Sequence, residues 1–506
     1  VAGPTTTAEP EDRQAWAALW ALVIGFFMIL VDSTIVTTAM PAIMTGLDTG
    51  VSGVVWVHSS YLLAFVVPLL ITGRMGDRFG PKNLYLIGLA VFTLASLWCG
   101  LATDLGSLVA ARVAQGFGAA IMTPQSMTFI TRLFPAHRRG AAMGIWGAAG
   151  GIAALTGPLL GGVLTDSLGW EWIFFVNVPI GAIAFWRVVA AVPALPTHAR
   201  RFDIPGVVLS AVGIFLIVFG VQEAETFDWG PVIGWFGIWH MIVAGVLVMI
   251  AFVLVQRFTR TEPLLPLGLF ADRNFALATS AIACMGLVIT TLNIPIMFYL
   301  QSVRGLTPTQ AALLIAPMAL FGALLAKYAG ARVNRRDPRG QSALGFFGFG
   351  VTIIAYGLLL PAQPPLLWLL LPAALMGASS AFVWPAVSLT ATRDLGPANA
   401  GAGSGVYNAT RQIGAVLGSA MMAVLIEARI AAHVDASGTQ ASTAGGLSDV
   451  MAGHVPELIR SATSWGLGEA LLLPGAVALL GGALSLGFRR SAHHLESEPD
   501  VLDSRP

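Results

Sequence analysis

Residues 73–82 read Gly73-Arg74-Met75-Gly76-Asp77-Arg78-Phe79-Gly80-Pro81-Lys82, and they separate two long apolar runs, 52–72 and 83–103. Three bases, one acid and three glycines in ten positions describe a tight polar connection between segments that are themselves too apolar to meet water. Gly73, Gly76 and Gly80 permit close helix approach and unusual dihedrals. Asp77 is suited to a helix N-terminus or an arginine partner.

The same alternation of apolar run and short polar connection extends in both directions. Fourteen runs of roughly 20 residues are bounded by charges, Pro or Gly: 15–40, 52–72, 83–103, 106–130, 140–164, 172–192, 204–222, 231–255, 275–301, 308–330, 341–360, 364–390, 403–427 and 467–487. With 56% apolar residues, 10% charged and a mean hydropathy of +0.78, the chain has no ordinary water-soluble surface. Lipid-exposed backbone satisfies its polar groups only in helices or closed barrels, and period-two alternation is absent, so the fold is expected to be an all-α membrane protein. The net charge of +1 says nothing about nucleic acid, and no basic run with interleaved aromatics points to it as a partner. Cys99 and Cys284 lie in apolar runs as small core residues, giving no disulfide framework or metal site. The first apolar run is longer than a signal h-region and is expected to remain as an anchor.

Orientation follows from Lys and Arg, which are disfavoured in short exported loops. With the N-terminus in the cytoplasm, the basic positions fall inside, among them Arg74, Arg78, Lys82, Arg138, Arg139, Arg200, Arg201, Arg332, Arg335, Arg336, Arg339, Arg489 and Arg490. Only Arg304, Arg429 and Arg460 fall outside, while Arg112 and Arg411 lie within spans. An error of one span would invert this bias downstream, so its persistence supports an even number of spans and two cytoplasmic termini.

The segment 330–339, Gly330-Ala-Arg332-Val-Asn334-Arg335-Arg336-Asp337-Pro338-Arg339, repeats the pattern of 73–82 after the tenth span. The chain therefore divides as six helices, two inserted helices and six more. The expected units are a tail (1–14), a first six-helix bundle (15–192), two inserted helices (193–256), a second bundle (257–490) and a second tail (491–506). An extracytoplasmic loop is expected at 428–466, either passive or gating, with a short surface helix at 448–465. Repeated halves are a common way to build a central pathway of alternating access.

Charged residues inside spans are the next signal. Asp32, in Leu30-Val-Asp32-Ser-Thr34, is the only acid well inside any span, and Arg112 lies in Leu108-Val-Ala-Ala-Arg112-Val-Ala-Gln115-Gly116. A buried Arg costs at least ~2.5 kcal/mol near the bilayer centre on insertion scales, so it must face a partner or water. Gln115 is three residues further on, on the same helical face. At 1.5 Å per residue, Asp32 lies roughly 12 Å from the outer end of its span, and His58 and Arg112 roughly 9 Å from theirs. All three are thus expected in one layer. Taken alone, His58 also fits a packed or interfacial histidine. An arginine favours the carboxylate anion and dehydration favours the neutral acid, so a cavity that opens and closes changes a carboxyl group's hold on a proton.

The 73–82 segment resembles the signature between the second and third helices of the major facilitator superfamily. The resemblance implies that fold, with fourteen transmembrane helices arranged 6 + 2 + 6. It also implies that Gly73, Asp77 and Arg78 belong to a conformational latch, for which the second copy carries Asn334 in place of the acid. The Arg112 segment resembles the family's fourth-helix motif, associated with proton coupling, which implies that role for Asp32, Arg112 and His58. The fifth span, with Gly147, Gly151, Gly157-Pro158-Leu-Leu-Gly161-Gly162, resembles the antiporter motif of drug exporters and makes Gly157, Pro158 and Gly161 switch residues. The corresponding second-half segment, Gly414-Ala-Val-Leu-Gly418-Ser419, lacks Gly-Pro. Together with Trp170-Glu-Trp-Ile-Phe-Phe-Val-Asn-Val-Pro179 and 401–414, these motifs resemble the fourteen-helix drug:proton antiporter branch.

That resemblance implies export of lipophilic drugs or antibiotics, with a dedicated exporter of one antibiotic, lipid or metabolite as the alternative. It implies no cofactor beyond the proton motive force. The expected partners are lipophilic small molecules, protons and the bilayer, with function as a monomer in a bacterial inner membrane. Candidate cargo contacts, chosen as aromatic or polar groups on inward faces, are Trp56, Tyr61, Gln115, Asn293, Phe298, Tyr299, Gln301, Trp384 and Arg411. Arg411 either anchors its helix or lines the cavity. No HExxH, paired intramembrane acids or Walker loop is present to suggest an enzyme or an ATP-driven pump.

Overall fold

The computed structural model describes residues 9–134, 136–197, 203–224, 227, 229–233, 235–259, 263–333, 337–393, 395, 400–436 and 457–489. The first six long helices are α1 (Glu9–Gly46), α2 (Val51–Phe79), α3 (Pro81–Gly100), α4 (Leu105–Leu133), α5 (Ala136–Leu168) and α6 (Asn177–Ala191), the last entered through a short turn, Trp172–Phe175. Two more follow, α7 (Ile204–Gln222) and α8 (Ile238–Phe258). The second set is α9 (Arg273–Phe298), α10 (Pro308–Val333), α11 (Pro338–Leu359), α12 (Leu370–Thr392), α13 (Ala400–Ala436) and α14, which runs Glu457–Ala470 and, past Leu471, Leu472–Leu486. Among the described residues, thirteen helices are long and apolar enough to cross a membrane, and the 33-residue α5 lies between the fourth and fifth of them. Leu247, Leu324, Leu344 and Leu371 are more than half exposed, as expected of a surface facing acyl chains.

Several boundaries differ from the sequence reading for identifiable reasons. Residues 73–79 are the last turns of α2, not a loop. The whole connection is Gly80, whose φ of 89° is a conformation L side chains rarely adopt, followed by Pro81 at the first position of α3. The second half ends its connection alike: Asp337 accepts a hydrogen bond from the Arg339 amide, and Pro338 opens α11. The span expected at 231–255 opens with a two-stranded hairpin, β1 (Pro231–Ile233) against β2 (Phe236–Gly237), because Pro231 lacks an N–H and Gly237 is extended. The helix starts only at Ile238. At the other end of the chain, α13 continues to Ala436 and α14 is helical from Glu457, so the expected loop 428–466 is much shorter. Residues 457–465 do not form a surface helix: Ala462, Thr463 and Ser464 are buried as α14 packs on α13. The remainder of that loop, the tails 1–8 and 490–506, and Asn334 lie outside the described residues.

Helices α1–α6 pack among themselves, as do α9–α14. The halves meet where α2 faces α13 and where α5 faces α10. Small residues set these distances. A Cβ at Gly162 would collide with the Pro308–Thr309 backbone at the start of α10, and one at Gly161 with Ile35 of α1. Among the described residues, four hydrogen bonds between the halves lie at the distal end, which carries the α1–α2 turn: Gln301 Nε2 to the Thr38 carbonyl (2.9 Å), the Ser52 amide to Glu427 (2.9 Å), the Ser59 and Ser419 hydroxyls (2.7 Å) and the Thr309 amide to Asp166 (3.0 Å). The inserted helix α7 packs against both α2 and α13 and so covers that seam from one side.

Candidate functional site

The first half closes around one carboxylate. Asp32 on α1 is completely buried, and so is Arg112 on α4. Arg112 Nη1 lies 2.6 Å from Asp32 Oδ2, and its Nε donates to the Val57 carbonyl on α2 at 3.0 Å. Asp32 Oδ1 accepts from Gln115 Nε2 at 2.8 Å and from Asn177 Nδ2 at 2.9 Å. Both amides also reach Ser96 Oγ on α3, at 2.6 and 3.4 Å, while the Gln115 carbonyl accepts from Arg112 Nη1 and from Cys99 Sγ. The guanidinium stands over the Tyr61 ring at 4.2 Å and near Phe174 at 5.7 Å. Five helices, α1, α2, α3, α4 and α6, thus converge on a single negative charge that is paired and hydrogen-bonded, the condition under which a buried charge is tolerated.

Asp32 and Arg112 meet as two of the three residues expected in one layer, and Gln115, on the same face of α4 as Arg112, joins them. His58 is buried one residue beyond the carbonyl that Arg112 engages, but its Nδ1 has no hydrogen-bond partner, so it stands outside the bonded network. Buried Arg112 Nη2 and Tyr61 OH are likewise without partners. Asn177 and Ser96 are members that sequence reasoning did not assign. The signal for Asn177 was an amide inside an apolar run, Trp172-Ile-Phe-Phe-Val-Asn177. Ser96 carried no signal, since single serines are cheap in membrane helices.

The fifth-helix residues pack beside this cluster. A Cβ at buried Gly157 would collide with Thr34 Oγ1, two residues from Asp32, and α5 runs through buried Pro158 as one helix. At the other end of α2, a Cβ at Gly76 would strike the Gln125 amide, and Gln125 Nε2 donates to the Thr72 carbonyl at 2.7 Å. Arg78 is exposed, with its guanidinium 5.6 Å from the Phe79 ring. The side chain of Asp77 and the surroundings of Gly73 lie outside the described residues.

The expected cargo contacts have different neighbours. Trp56 Nε1 donates to the Glu223 carboxylate at the end of α7, and its ring lies 5.8 Å from Phe219, so it faces the inserted helices. Tyr61 and Gln115 belong to the Asp32 cluster. Phe298 and Tyr299 are fully buried, the latter accepting from Arg304 Nη1 at 3.3 Å, and Gln301 ties the halves through Thr38. Tyr299 and Gln301 sit in a π-helical turn, Tyr299–Val303, that follows Pro295. Asn293, Trp384 and Arg411 are partly buried. A Cβ at Gly286 of α9 would collide with the Arg411 carbonyl, so at this position α13 lies backbone-to-backbone against its neighbour. Among the described residues no group of His, Cys, Asp and Glu has the arrangement of a metal site.

A family model described as Major Facilitator Superfamily matches residues 22–419. The chain belongs to the major facilitator superfamily. Members of this superfamily are membrane transporters, not enzymes, and this transporter is accordingly a multi-pass membrane protein of that fold. It is similar to an uncharacterized MFS-type transporter of Mycobacterium tuberculosis, 50% identical over 93% of this chain and 80% of that protein. It is also similar to the cephamycin export protein of Amycolatopsis lactamdurans, 34% identical over 92% and 93% of the two chains. Among solved structures, a bacterial homolog of the human lysosomal transporter Spinster in an inward-facing and occupied conformation superposes with a TM-score of 0.62. It is 17% identical and covers 94% of this chain and 96% of that one.

Proposed function

We propose that this transporter exports lipophilic drugs or antibiotics across a bacterial inner membrane in exchange for protons, acting as a monomer with both termini in the cytoplasm. The observation that carries the coupling is Asp32, a carboxylate sealed among five helices and bonded to Arg112, Gln115 and Asn177. A group so placed exchanges protons with water only when helices part, which links its charge to the conformation of the halves. Export is supported by the cephamycin exporter, which this chain matches over nearly its whole length.

The cycle runs between two arrangements. With the termini inside, the distal ties through Ser59, Ser419, Glu427 and Gln301 close the outer face, and cargo is taken up from the cytoplasm or inner leaflet. Parting of those ties opens the outer face, a proton reaches Asp32 and cargo leaves. Gly157, Pro158 and Gly161 give α5 the smooth surface on which α1 moves, while Gly73, Asp77 and Arg78 form a latch at the cytoplasmic end. Of the expected cargo contacts, the partly buried Asn293, Trp384 and Arg411 are the first to test.

Efflux of fluorescent cationic and neutral dyes from cells, with and without a proton uncoupler, tests this reading. Uncoupler-sensitive exclusion is expected, and export that ignores the uncoupler would sink it. The named relative also favours a second reading, a dedicated exporter of one antibiotic. A substrate panel in a pump-deficient host separates the two: protection against several unlike compounds supports broad export, and protection against one supports the specialist.

A further inference from the structure

We propose that Asn177 changes roles when Asp32 takes up a proton: its side-chain amide turns, and its Oδ1 accepts the hydrogen bond of the new carboxylic O–H. This rests on Asp32 being the proton-binding group. As folded, every partner of the Asp32 side chain is a donor: Arg112 Nη1 on Oδ2, and Gln115 Nε2 and Asn177 Nδ2 on Oδ1. An ionised carboxylate only accepts, whereas a carboxylic acid has one O–H to donate, so this ring of donors suits the anion alone. A proton arriving on Oδ1 would point at an N–H, and one partner must become an acceptor.

The three partners are not equally free to do so. Arg112 has no acceptor atom. Gln115 is held at both ends, its carbonyl accepting from Arg112 and Cys99 and its Nε2 bonded to Asp32 and Ser96, so turning it would set N–H groups against the guanidinium. Asn177 makes its hydrogen bonds through Nδ2, to Asp32 and to Ser96, and none through Oδ1 among the described residues. Rotation of its amide about one bond exchanges N for O facing Asp32. Ser96 Oγ, an acceptor from Nδ2 at 3.4 Å, has a hydroxyl proton with which to become the donor to the turned carbonyl. The step is a plain protonation: the proton bonds to Asp32 Oδ1, the charge is neutralised, and the N–H···O bond from Asn177 is replaced by O–H···O.

Because Asn177 stands at the start of α6, the turn would also report the charge of α1 to a third helix. The test is infrared difference spectroscopy of the full-length protein in liposomes as the proton concentration is raised. Asparagine carries a side-chain isotope label, and the Asn177 carbonyl band is assigned by its absence in Asn177→Ser. The inference expects that band to shift together with the appearance of a carboxylic C=O band that Asp32→Asn removes. Proton-driven exchange is expected to fall at least about tenfold in Asn177→Leu, which can neither donate nor accept, and to be partly restored in Asn177→Ser, whose hydroxyl does both. A carboxylic band with the Asn177 carbonyl unmoved would overturn this inference and leave the role of Asp32 intact. A carboxylic band that survives Asp32→Asn would overturn both. Should Asn177→Leu not fold, the labelled wild-type spectrum decides by itself.

Discussion

Arg112 and Asp32 form an ion pair 2.6 Å long in which neither side chain has any solvent exposure, and the guanidinium is simultaneously fastened to α2 through the Val57 carbonyl. The pair therefore joins three helices of the first half, and either partner alone would be an uncompensated buried charge.

Removing one partner should cost more than removing both. Arg112→Leu is expected to lower stability in detergent by about 3–5 kcal/mol, whereas Asp32→Asn combined with Arg112→Gln should recover much of that loss without restoring proton-driven transport. Thermal unfolding of purified single and double variants reads the difference. Equal destabilisation in the double variant would mean the two charges do not act as a pair.

The Ser59 and Ser419 hydroxyls, 2.7 Å apart, are placed for cross-linking of α2 to α13. Replacing both with cysteine and oxidising should lower transport at least about tenfold, with recovery on reduction, since side chains that meet here bring the two positions within disulfide reach. Transport that continues in the oxidised protein would show that the halves do not part along this seam.

Gly157 sits where any Cβ would strike Thr34. Gly157→Val is expected to abolish exchange by displacing α5 from α1, while Ile152→Leu, on an exposed position of the same helix, should be neutral. Dye efflux from cells, normalised to protein in the membrane, makes the comparison. Normal efflux by Gly157→Val would remove α5 from the moving parts.

Trp56→Phe should leave the range of exported compounds unchanged and lower thermal stability modestly, by about 1–2 kcal/mol, because Trp56 is hydrogen-bonded to Glu223 of the inserted pair. A changed substrate range with unchanged stability would return Trp56 to the cargo pathway.

The pattern of expectations met and missed has physical causes. The helices were legible because a span needs about 20 apolar residues and little else resembles one. Asp32 and Arg112 were legible because charge in lipid is expensive and therefore rare, and Gln115 because it lies three residues from Arg112 on one helical face. Asn177 and Ser96 were not, since neutral polar side chains bury cheaply and recur in many spans. Counting residues gave the depth of His58 but not the direction it faces, and an inward face was expected of Trp56, which α2 turns toward α7. Nor does composition reveal that Gly73 to Phe79 remain helical: charge suggested a loop, but Gln125 at Thr72 and the crowding at Gly76 hold those turns against α4.

The central claim is that the Asp32 carboxylate couples protons to export, and its most direct test is transport of a fluorescent lipophilic dye into proteoliposomes under an imposed proton gradient. Wild type should concentrate the dye against its gradient, and Asp32→Asn, correctly folded, should carry it only down its gradient. Uphill accumulation by Asp32→Asn would contradict the account.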